Sequence, residues 1–383
     1  MKILLIGNQS NTMLLFRGYL IEKLVAEGNE VVTLTMDCDY KIFERLRDIG
    51  AIPLQYDFSR SGMNPVYDGV NTIKLSKKIK KIKPHVVFCF FPKPVIFGAI
   101  ASKLAGVRNI YLLLEGLGYC FTQRSVKDGL RERVLRSVQV FLYKMALPLA
   151  KKVLFLNADD YNDLILNNNI RIKDYEVVGG IGVDLNEYDY SEPDADNIVF
   201  LMVSRLLIDK GVKEFIHAAR IVKKRYPNIQ FSIAGACDDN PGGISLVELT
   251  KLKSEGIVNF LGQVSDIPSS LRKSSVFVLP SYREGIPRST QEAMSIGRAV
   301  ITTDVPGCRE TVIDSVNGFL IPPWDSEILA KRMIFFIENP SKIYSMGLES
   351  RKIAEEKFDQ EITCGRLMKI LLSADFKFTK STN

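Results

Sequence analysis

The sequence predicts an α/β protein of two domains, each built on a doubly wound parallel sheet. Apolar runs of four to six residues, typical of buried strands, alternate with segments of helical length and periodicity. At 383 residues the chain is too long for one ordinary core. A polar stretch at 186–197 shows no apolar periodicity, and the alternating pattern starts again after it. We therefore place the domains at 1–190 and 191–383, facing a central cleft, with the last helix able to pack back on the first domain.

The spacing of apolar residues and the positions of turn residues predict the individual strands and helices. Met13, Phe16, Leu20 and Leu24 recur at helical spacing and Gly28 closes that helix. The same criteria predict first-domain strands at 2–7, 30–36, 54–57, 86–91, 109–114, 152–156 and 175–178, with helices at 13–26, 43–49, 72–82 and 95–104. They predict second-domain strands at 198–203, 230–235, 258–262, 276–279 and 299–302, with helices at 212–224, 326–338 and 355–372.

Composition narrows the class of protein. The hydrophobic share is 46%, as in soluble globular chains, and no apolar run approaches the length that spans a membrane. The first apolar run, 2–7, is too short for a signal peptide. Neither a zinc site nor a disulfide framework is indicated, because the six cysteines form no close pair. We expect a cytoplasmic protein whose thiols are reduced: Cys38, Cys89, Cys120, Cys237, Cys308 and Cys364.

Charge is distributed unevenly along the chain. Residues 70–152 carry 17 Lys or Arg and three acids, within a chain whose net charge is only +7, so the remainder is net negative. A field this one-sided indicates a partner, either nucleic acid or an anionic membrane surface. Residues 130–152 mix basic and apolar side chains at helical spacing, which fits a core helix with a charged face or a helix resting on an anionic leaflet. We favour the membrane surface, because no stacking aromatics or nucleic-acid module accompany the charge.

Residues 281–297 carry the clearest functional signal. They follow an apolar run and predict a helix with Pro287 in its first turn and Gly297 at its end. Glu284 precedes this helix and Glu292 lies inside it, roughly 12 Å apart along the axis at 1.5 Å per residue. Between the carboxylates, the helix N-terminus offers unpaired amides to a phosphate. This layout suits a nucleotide diphosphate sugar, which has hydroxyls at both ends and anions in the middle.

A second signal lies in the loop after the first strand of the second domain. Arg205 and Lys210 fall at the carboxyl end of that strand, where the cleft is expected. A forked guanidinium together with an ammonium suits a diphosphate group.

These residues carry a resemblance to a known family. The second domain resembles family 4 glycosyltransferases, which are two-domain retaining enzymes of the GT-B fold. The matching motifs, in order, are Ser204-Arg205, Lys210-Gly211, Gly262-Gln-Val-Ser-Asp266, Pro280-Ser-Tyr-Arg-Glu284-Gly-Ile-Pro287, Glu292-Ala293, Thr303-Asp-Val-Pro-Gly307 and Asn317-Gly318. The first domain is similar to a subgroup that extends polyprenyl-diphosphate-linked sugars in bacterial glycan assembly, through Phe58-Ser-Arg60, Asn64-Pro65, Lys93 and Leu114-Glu115-Gly-Leu-Gly118.

The resemblance implies a role for each donor-site residue. Arg205 and Lys210 would neutralise the donor diphosphate and its leaving charge, and Glu284 would take the sugar hydroxyls; these three are the expected catalytic residues. Glu292 would take the ribose hydroxyls. Further donor contacts would come from the amides of Gly285 and Ile286 and the Ser289 hydroxyl to the β-phosphate, and from backbone atoms of Gly262 and Val264 to the base. No metal or other cofactor is implied, since the UDP-sugar is itself a substrate.

The acceptor half of the site departs from the family pattern. Many members carry a His near the reacting centre, whereas this chain has only His85 and His217, neither at a strand end that faces the cleft. We expect Lys93, Glu115 and Gly116 to contact the acceptor instead.

One motif indicates a different fold. Asp37-Cys-Asp39 follows an apolar strand and has the spacing with which another class of glycosyltransferases holds a metal. It occurs too early for the nucleotide-binding segment of that fold, and the acidic pair Asp238-Asp239 has the character of a turn. We therefore expect no metal site.

The sequence thus predicts a retaining glycosyltransferase on the cytoplasmic face of a membrane. It would move a sugar, with N-acetylgalactosamine or another hexosamine as the best choice, from UDP to a polyprenyl-diphosphate-linked saccharide of a surface polysaccharide. Two alternatives remain: a nucleotide-sugar epimerase of the same shape, which would need acids and bases in the cleft, and a non-catalytic sugar-nucleotide-binding protein of the membrane surface, which would tolerate loss of Arg205, Lys210 and Glu284.

Overall fold

A computed structural model describes residues 1–59, 65–122, 129–238 and 242–373. The chain divides into two compact units. Unit 1 contains the described residues of 1–120, 129–179 and 361–373, and unit 2 contains 121–122 and those of 180–360. Arg60 and Asn64, which belong to the first-domain motifs, lie outside the described residues, as does Asp239.

Unit 1 is built on a seven-stranded parallel sheet. Its strands are almost continuously apolar because helices cover both faces of a parallel sheet. In chain order they are β1 (Lys2–Ile6), β2 (Glu30–Thr35), β3 (Ile52–Gln55), β4 (Val86–Phe90), β5 (Asn109–Leu114), β6 (Lys152–Phe155) and β7 (Tyr175–Val177). Their spatial order is β3-β2-β1-β4-β5-β6-β7, so the direction of winding reverses between β1 and β4.

Helices connect these strands on the two faces of the sheet. They are α1 (Ser10–Ala26), α2 (Tyr40–Asp48), α3 (Pro65–Ile82), α4 (Ala99–Leu104), α5 (Leu130–Ala146) and the short α6 (Ala158–Tyr161). A π-helical turn, Pro94–Gly98, leads into α4. The connections from β3 to β4, β4 to β5 and β5 to β6 all run the same way across the sheet, and right-handed crossovers put α3, residues 94–104 and α5 on one face. All three pack together there.

Unit 2 repeats the architecture with six parallel strands. They are β8 (Val199–Val203), β9 (Gln230–Ala234), β10 (Asn259–Gly262), β11 (Val276–Leu279), β12 (Ala299–Thr303) and β13 (Gly318–Ile321), in the spatial order β10-β9-β8-β11-β12-β13. The helices of this unit are α7 (Val212–Arg225), α8 (Leu246–Ser254), α9 (Ile267–Arg272), α10 (Arg288–Ile296), α11 (Ser326–Glu338) and α12 (Pro340–Lys357). The predicted class, two doubly wound parallel sheets, is confirmed.

The end of the chain differs from the prediction. A single helix was expected at 355–372, but α12 ends at Lys357 and a separate helix, α13 (Gln360–Leu372), follows. The break has a clear cause: the backbone at Phe358 and Gln360 hydrogen-bonds Val183, which forms a β-bridge with Asp359. Strand β13 and most of α12 were not predicted. From Glu361 onward, α13 belongs to unit 1.

Within 1–59, 65–122, 129–238 and 242–373, no helix combines the length and apolar character that crossing a bilayer requires.

Candidate active site

The predicted donor residues collect at one edge of the unit 2 sheet. The loops after β8 and β11 carry Arg205, Lys210 and Glu284, and these two strands are neighbours at the point where the winding direction reverses. Parallel strands present their carboxyl ends at the same edge, and a reversal point leaves a crevice there in which ligands of doubly wound sheets bind. The fold therefore brings these three residues together.

Backbone contacts join the loops of this edge to one another. The Tyr282 amide donates to the Asp209 carbonyl over 2.8 Å, and the Glu284 amide donates to the Pro306 carbonyl over 3.1 Å. Gly211 (φ 75°) and Gly307 (φ 78°) make this close approach possible. A methyl group at Gly211 would overlap the carbonyl of Pro280, and one at Gly307 would overlap that of Glu284. Both glycines are needed for sterics as well as for backbone conformation.

Lys210 and Glu284 form the central ion pair of the site. Lys210 Nζ lies 2.6 Å from Glu284 Oε1, and the side chains are 16% and 14% exposed. The Ser281 hydroxyl donates to the same carboxylate oxygen over 2.8 Å. Burial lowers the pKa of Lys210, but Glu284 and Asp209 outweigh it, so that the pKa is raised overall. Lys210 is therefore a firmly charged cation that still reaches solvent.

Asp209 is a site residue that the sequence analysis did not single out. Burial raises the pKa of its carboxyl group, and the charges of Lys210 and Arg205 offset this only in part. Its Oδ1 is buried without a hydrogen-bond partner among the described residues. The signal that could have found it is its position directly before Lys210, since adjacent charges in one loop share the same edge. Asp209 gives Lys210 a second counter-charge.

Arg205 has a carboxylate partner of its own. Its Nη1 lies 2.6 Å from Asp238 Oδ2, with Arg205 about half exposed and Asp238 13% exposed. Asp238 follows β9, the strand beside β8, and the sequence analysis had assigned it only to a turn. Its charge aims the guanidinium along this edge of the sheet.

Glu292 is held inside the first turns of α10. Its Oε1 lies 2.9 Å from Nε of Arg288, the first residue of that helix, and the Tyr188 hydroxyl also donates to the carboxylate. Burial raises the pKa of Glu292 despite these partners. Gln291 fixes the start of the helix from within by donating to the Ile286 carbonyl over 3.2 Å. Arg288 and Tyr188 are further site residues without a sequence prediction; Arg288 could have been found from its spacing of four residues before Glu292.

The remaining residues predicted for the donor site are buried or half-buried around the end of β10 and the start of α10. Gly285 and Ile286 are buried immediately before α10, and Ser289 is half-buried in its first turn. Gly262 ends β10, and its carbonyl accepts from the Gly235 amide over 2.8 Å. Val264 is half-buried in the turn that follows.

Taken together, this edge can bind both anions and hydroxyl groups. Cations that can donate to phosphate oxygens lie beside carboxylates that can accept hydrogen bonds from hydroxyl groups. Helix α10 adds the amides of its N-terminus. Each cation is already neutralised within the protein. A bound diphosphate sugar would therefore exchange partners, with phosphate taking the cations and hydroxyls taking the carboxylates.

The predicted acceptor residues lie in unit 1 and are also engaged within the protein. Lys93, after β4, donates to the Ser59 carbonyl over 2.9 Å and lies 3.4 Å from buried Asp68. Glu115, after β5, pairs with Arg17, and the two side chains are 7% and 1% exposed. Burial raises the pKa of Glu115 against the influence of Arg17. Gly116 follows with φ 100°.

The Asp37-Cys-Asp39 motif has structural partners. Asp37 accepts from the Ser10 amide over 2.6 Å and from its hydroxyl, at the start of α1. Asp39 caps α2 by accepting from the Ile42 amide over 3.2 Å. Among the described residues no group of three or more His, Cys, Asp or Glu could hold a metal ion. Of the two histidines, His85 accepts from the Lys2 amide over 2.9 Å and His217 is exposed on α7.

Comparison with solved structures identifies the fold. The structure of Anabaena HepE in complex with UDP superposes with a TM-score of 0.75 at 20% identity, covering 97% of this chain and all of that one. This likeness shows that the chain has the GT-B fold.

Sequence comparison then identifies the class of enzyme. Residues 187–355 match the family model "Glycosyl transferases group 1", and residues 2–157 match "Glycosyl transferase 4-like". The two models together cover most of the chain and both describe glycosyltransferases, which confirms the resemblance and the enzyme class. One relative is the N,N'-diacetylbacillosaminyl-diphospho-undecaprenol alpha-1,3-N-acetylgalactosaminyltransferase of Campylobacter jejuni, which is 28% identical over 93% of this chain and 94% of that protein. Another is the UDP-Gal:alpha-D-GlcNAc-diphosphoundecaprenol alpha-1,3-galactosyltransferase of Escherichia coli, which is 29% identical over 67% of each chain.

Proposed function

We propose that this glycosyltransferase is a retaining enzyme that moves a hexosamine, N-acetylgalactosamine by preference, from a UDP donor to a polyprenyl-diphosphate-linked saccharide. The product would be an intermediate of a bacterial surface polysaccharide such as an O-antigen or a capsule. The observation that carries the proposal is the cluster of Arg205, Lys210 and Glu284 around the start of α10. The Campylobacter relative, alike over almost its whole length, supports the lipid-linked acceptor, and the Escherichia relative supports a UDP donor.

Donor binding would begin with an exchange of ion pairs. The diphosphate would bind Arg205 and Lys210. The amides of Gly285 and Ile286, just before α10, and the Ser289 hydroxyl would donate to its β-phosphate. Gly262 and Val264 would border the base. The released carboxylate of Glu284 then accepts sugar hydroxyls, and Glu292, steadied by Arg288, accepts those of the ribose. Because Asp209 stays beside Lys210, the ammonium keeps a counter-charge throughout the exchange.

Catalysis on this proposal is mainly electrostatic. The bond between the anomeric carbon and the β-phosphate oxygen breaks and its electron pair leaves with UDP. The acceptor oxygen bonds to the anomeric carbon on the same face, and its proton passes to the leaving phosphate. Negative charge grows on the phosphate as the bond breaks, and Lys210 and Arg205 stabilise it there. These two cations supply the charge that a metal supplies elsewhere, so no cofactor is required.

Residues of unit 1 would bind the acceptor. We assign Lys93, Glu115 and Gly116 to acceptor contacts, with Lys93 the cation for the lipid diphosphate. Glu115 would have to exchange its Arg17 partner, as Glu284 does with Lys210. The basic region 70–152 would rest on an anionic leaflet and hold the enzyme at the cytoplasmic face of the membrane, with no role for nucleic acid.

One experiment tests the proposal most directly. Purified enzyme is incubated with a panel of UDP-sugars and a synthetic polyprenyl-diphosphate-linked saccharide, and products are read by mass spectrometry. We expect one UDP-hexosamine to be transferred with UDP release. Nuclear magnetic resonance of the product should show the donor's anomeric configuration retained. No transfer from any UDP-sugar, or an inverted product, would contradict the proposal.

A further inference from the structure

The outer surface of α5 carries a stripe of exposed apolar side chains. We call this the α5 stripe: Leu130 (80% exposed), Val134 (54%), Val138 (41%), Phe141 (61%) and Met145 (49%). At about 100° per residue, these five positions fall within an arc of roughly 80° on a 17-residue helix. The opposite side of α5 is the one that packs into unit 1, through Gln139, Val140, Tyr143 and Ala146. The stripe is therefore additional to the core-facing surface of the helix.

The neighbouring helix α3 combines apolar and basic residues on its exposed side. Val66, Val70 and Ile73 are 77%, 50% and 54% exposed and occupy its first half. The second half of the same side presents a lysine cluster: Lys74, Lys77, Lys80 and Lys81. Because α3, residues 94–104 and α5 pack as one layer over one face of the sheet, the stripe and the lysine cluster belong to one surface of unit 1.

Acidic residues on this surface are few and are turned inward. The segments 65–82, 94–104 and 129–146 contain ten Lys or Arg and two acids, Asp68 and Glu132. Asp68 is buried and paired with Lys93, and Glu132 is half-buried in the first turn of α5. An exposed apolar stripe is thus bordered by an excess of positive charge, although Lys74 lies 3.9 Å from the carboxylate of Asp57.

We infer that the α5 stripe lies in the acyl boundary of an anionic bilayer, while the lysine cluster, Arg133 and Lys144 bind lipid phosphates. Apolar and cationic groups on one helical surface match the two layers of a leaflet, its hydrocarbon and its headgroups. At 1.5 Å per residue, α5 would lie in the membrane plane over about 25 Å. A second copy of the chain fits less well, because like positive charges would face each other across the contact.

This inference rests on the proposed function and deepens it. Charge alone would hold the enzyme loosely at the leaflet and would be screened by salt. Burial of the stripe adds a contribution that salt does not screen, and fixes which side of unit 1 faces the lipid-linked acceptor.

The test measures binding to vesicles of phosphatidylethanolamine and phosphatidylglycerol, in the absence of any sugar donor. The variant Val134→Ser/Val138→Ser/Phe141→Ser should bind these vesicles at least about tenfold more weakly, since three apolar groups are lost from the boundary. The matched control is Leu246→Ser/Val247→Ser on α8 of unit 2, where the side chains are 72% and 82% exposed. It should bind within about twofold of the wild type.

Vesicle binding at high salt, together with quenching by brominated lipids, distinguishes insertion of the α5 stripe into the bilayer from electrostatic binding at its surface. At high salt the wild type should keep part of its vesicle binding, whereas the triple variant should lose all of it. In Phe141→Trp, lipids with brominated acyl chains should quench the introduced indole. Unchanged binding of the triple variant, or an unquenched indole, would overturn the inference. So would a wild-type dimer in sedimentation that the triple variant abolishes.

Failure of this inference is distinguishable from failure of the proposed function. With a short-chain, water-soluble acceptor, the triple variant should transfer sugar at the wild-type rate, and with a vesicle-embedded acceptor it should be slower. Equal rates on embedded acceptor would argue against the stripe. Vesicle binding is read without donor, so it decides the stripe even where the wild type transfers no sugar.

Discussion

The two units each hold an ion pair at the carboxyl edge of their sheet, and the two pairs differ in burial. In unit 1, Arg17 and Glu115 are 1% and 7% exposed, and the guanidinium carbon lies 4.8 Å from the centre of the Phe90 ring. In unit 2, Lys210 and Glu284 are 16% and 14% exposed, and Asp209 provides a second carboxylate. The first pair is enclosed by aromatic groups, whereas the second remains open to solvent.

The difference bears on what each pair can do. An enclosed pair cannot lose one partner without leaving a buried charge uncompensated, so it favours a fixed structure. An open pair with a spare carboxylate can release one partner to a ligand at lower cost. On this comparison the unit 2 edge is the better built for exchange, and the assignment of Glu115 to an acceptor is the more demanding prediction.

Removing the cation of the open pair should have the largest effect. Lys210→Ala should lower kcat about a thousandfold, which corresponds to about 4 kcal/mol, because the leaving phosphate loses its strongest charge partner. Steady-state kinetics with the preferred UDP-sugar measures this. Lys213→Ala removes a cation 51% exposed on α7 and serves as the control. Near-wild-type turnover of Lys210→Ala would reject its role.

Removing the carboxylate of each pair shows how much each pair contributes to the free energy of unfolding. Glu115→Gln should cost about 3 kcal/mol of unfolding free energy, since Arg17 is left charged and buried. Glu284→Gln should cost less than about 1 kcal/mol, because Lys210 keeps Asp209 and some solvent. Urea unfolding followed by circular dichroism measures both.

A double variant checks the reason for that difference. Arg17→Met/Glu115→Leu removes both charges and should recover most of the stability that Glu115→Gln loses. Equal costs for Glu115→Gln and Glu284→Gln would remove the distinction between an enclosed and an open pair.

Substitution of Asp209 should lower turnover without lowering the free energy of unfolding. Burial raises the pKa of its carboxyl group, so the stability it contributes is full below its unfolded pKa and is lost as the pH rises through the folded pKa. Near neutral pH the ionised group is therefore a cost, and Asp209→Asn should leave the free energy of unfolding unchanged or raised. Turnover should fall about tenfold, because Lys210 is held less well. A destabilised variant with full activity would contradict this.

Chelation should have the smallest effect. With Asp37 and Asp39 both engaged as helix caps, EDTA should change the rate of transfer by less than about twofold. The control is Asp37→Asn, which should lower thermal stability slightly and leave turnover near that of the wild type. Complete loss of transfer with EDTA, restored by Mg²⁺, would revive the motif as a metal site.

Sequence reasoning predicted the sheets well because parallel strands are buried on both faces and read as unbroken apolar runs. It missed β13, which is short and begins at Gly318 (φ 157°) after a turn at Ser315 (φ 62°). It joined α12 to α13 because the break at Phe358 and Asp359 depends on Val183, far away in the chain. Contacts of that kind have no local signal.

The same limit applies to the candidate site. Arg205, Lys210 and Glu284 were found from their places after strands, but their partners were not. Arg205 pairs with Asp238 across 33 residues of sequence, and Lys210 with Glu284 across 74. The sequence therefore predicted which cations and carboxylates lie at the site, but not that the fold pairs them with each other.

The position of α13 has a consequence for how the chain is made. Its first turn contacts α1 through Glu361 with Tyr19 and Lys23, and Arg366 donates to the Val178 carbonyl. These partners leave the ribosome long before α13, with all of unit 2 synthesised in between. Unit 1 can therefore assemble its sheet early but completes its surface last. During translation, the side of α1 that carries Tyr19 and Lys23 therefore lacks its α13 contacts until the end of the chain is made.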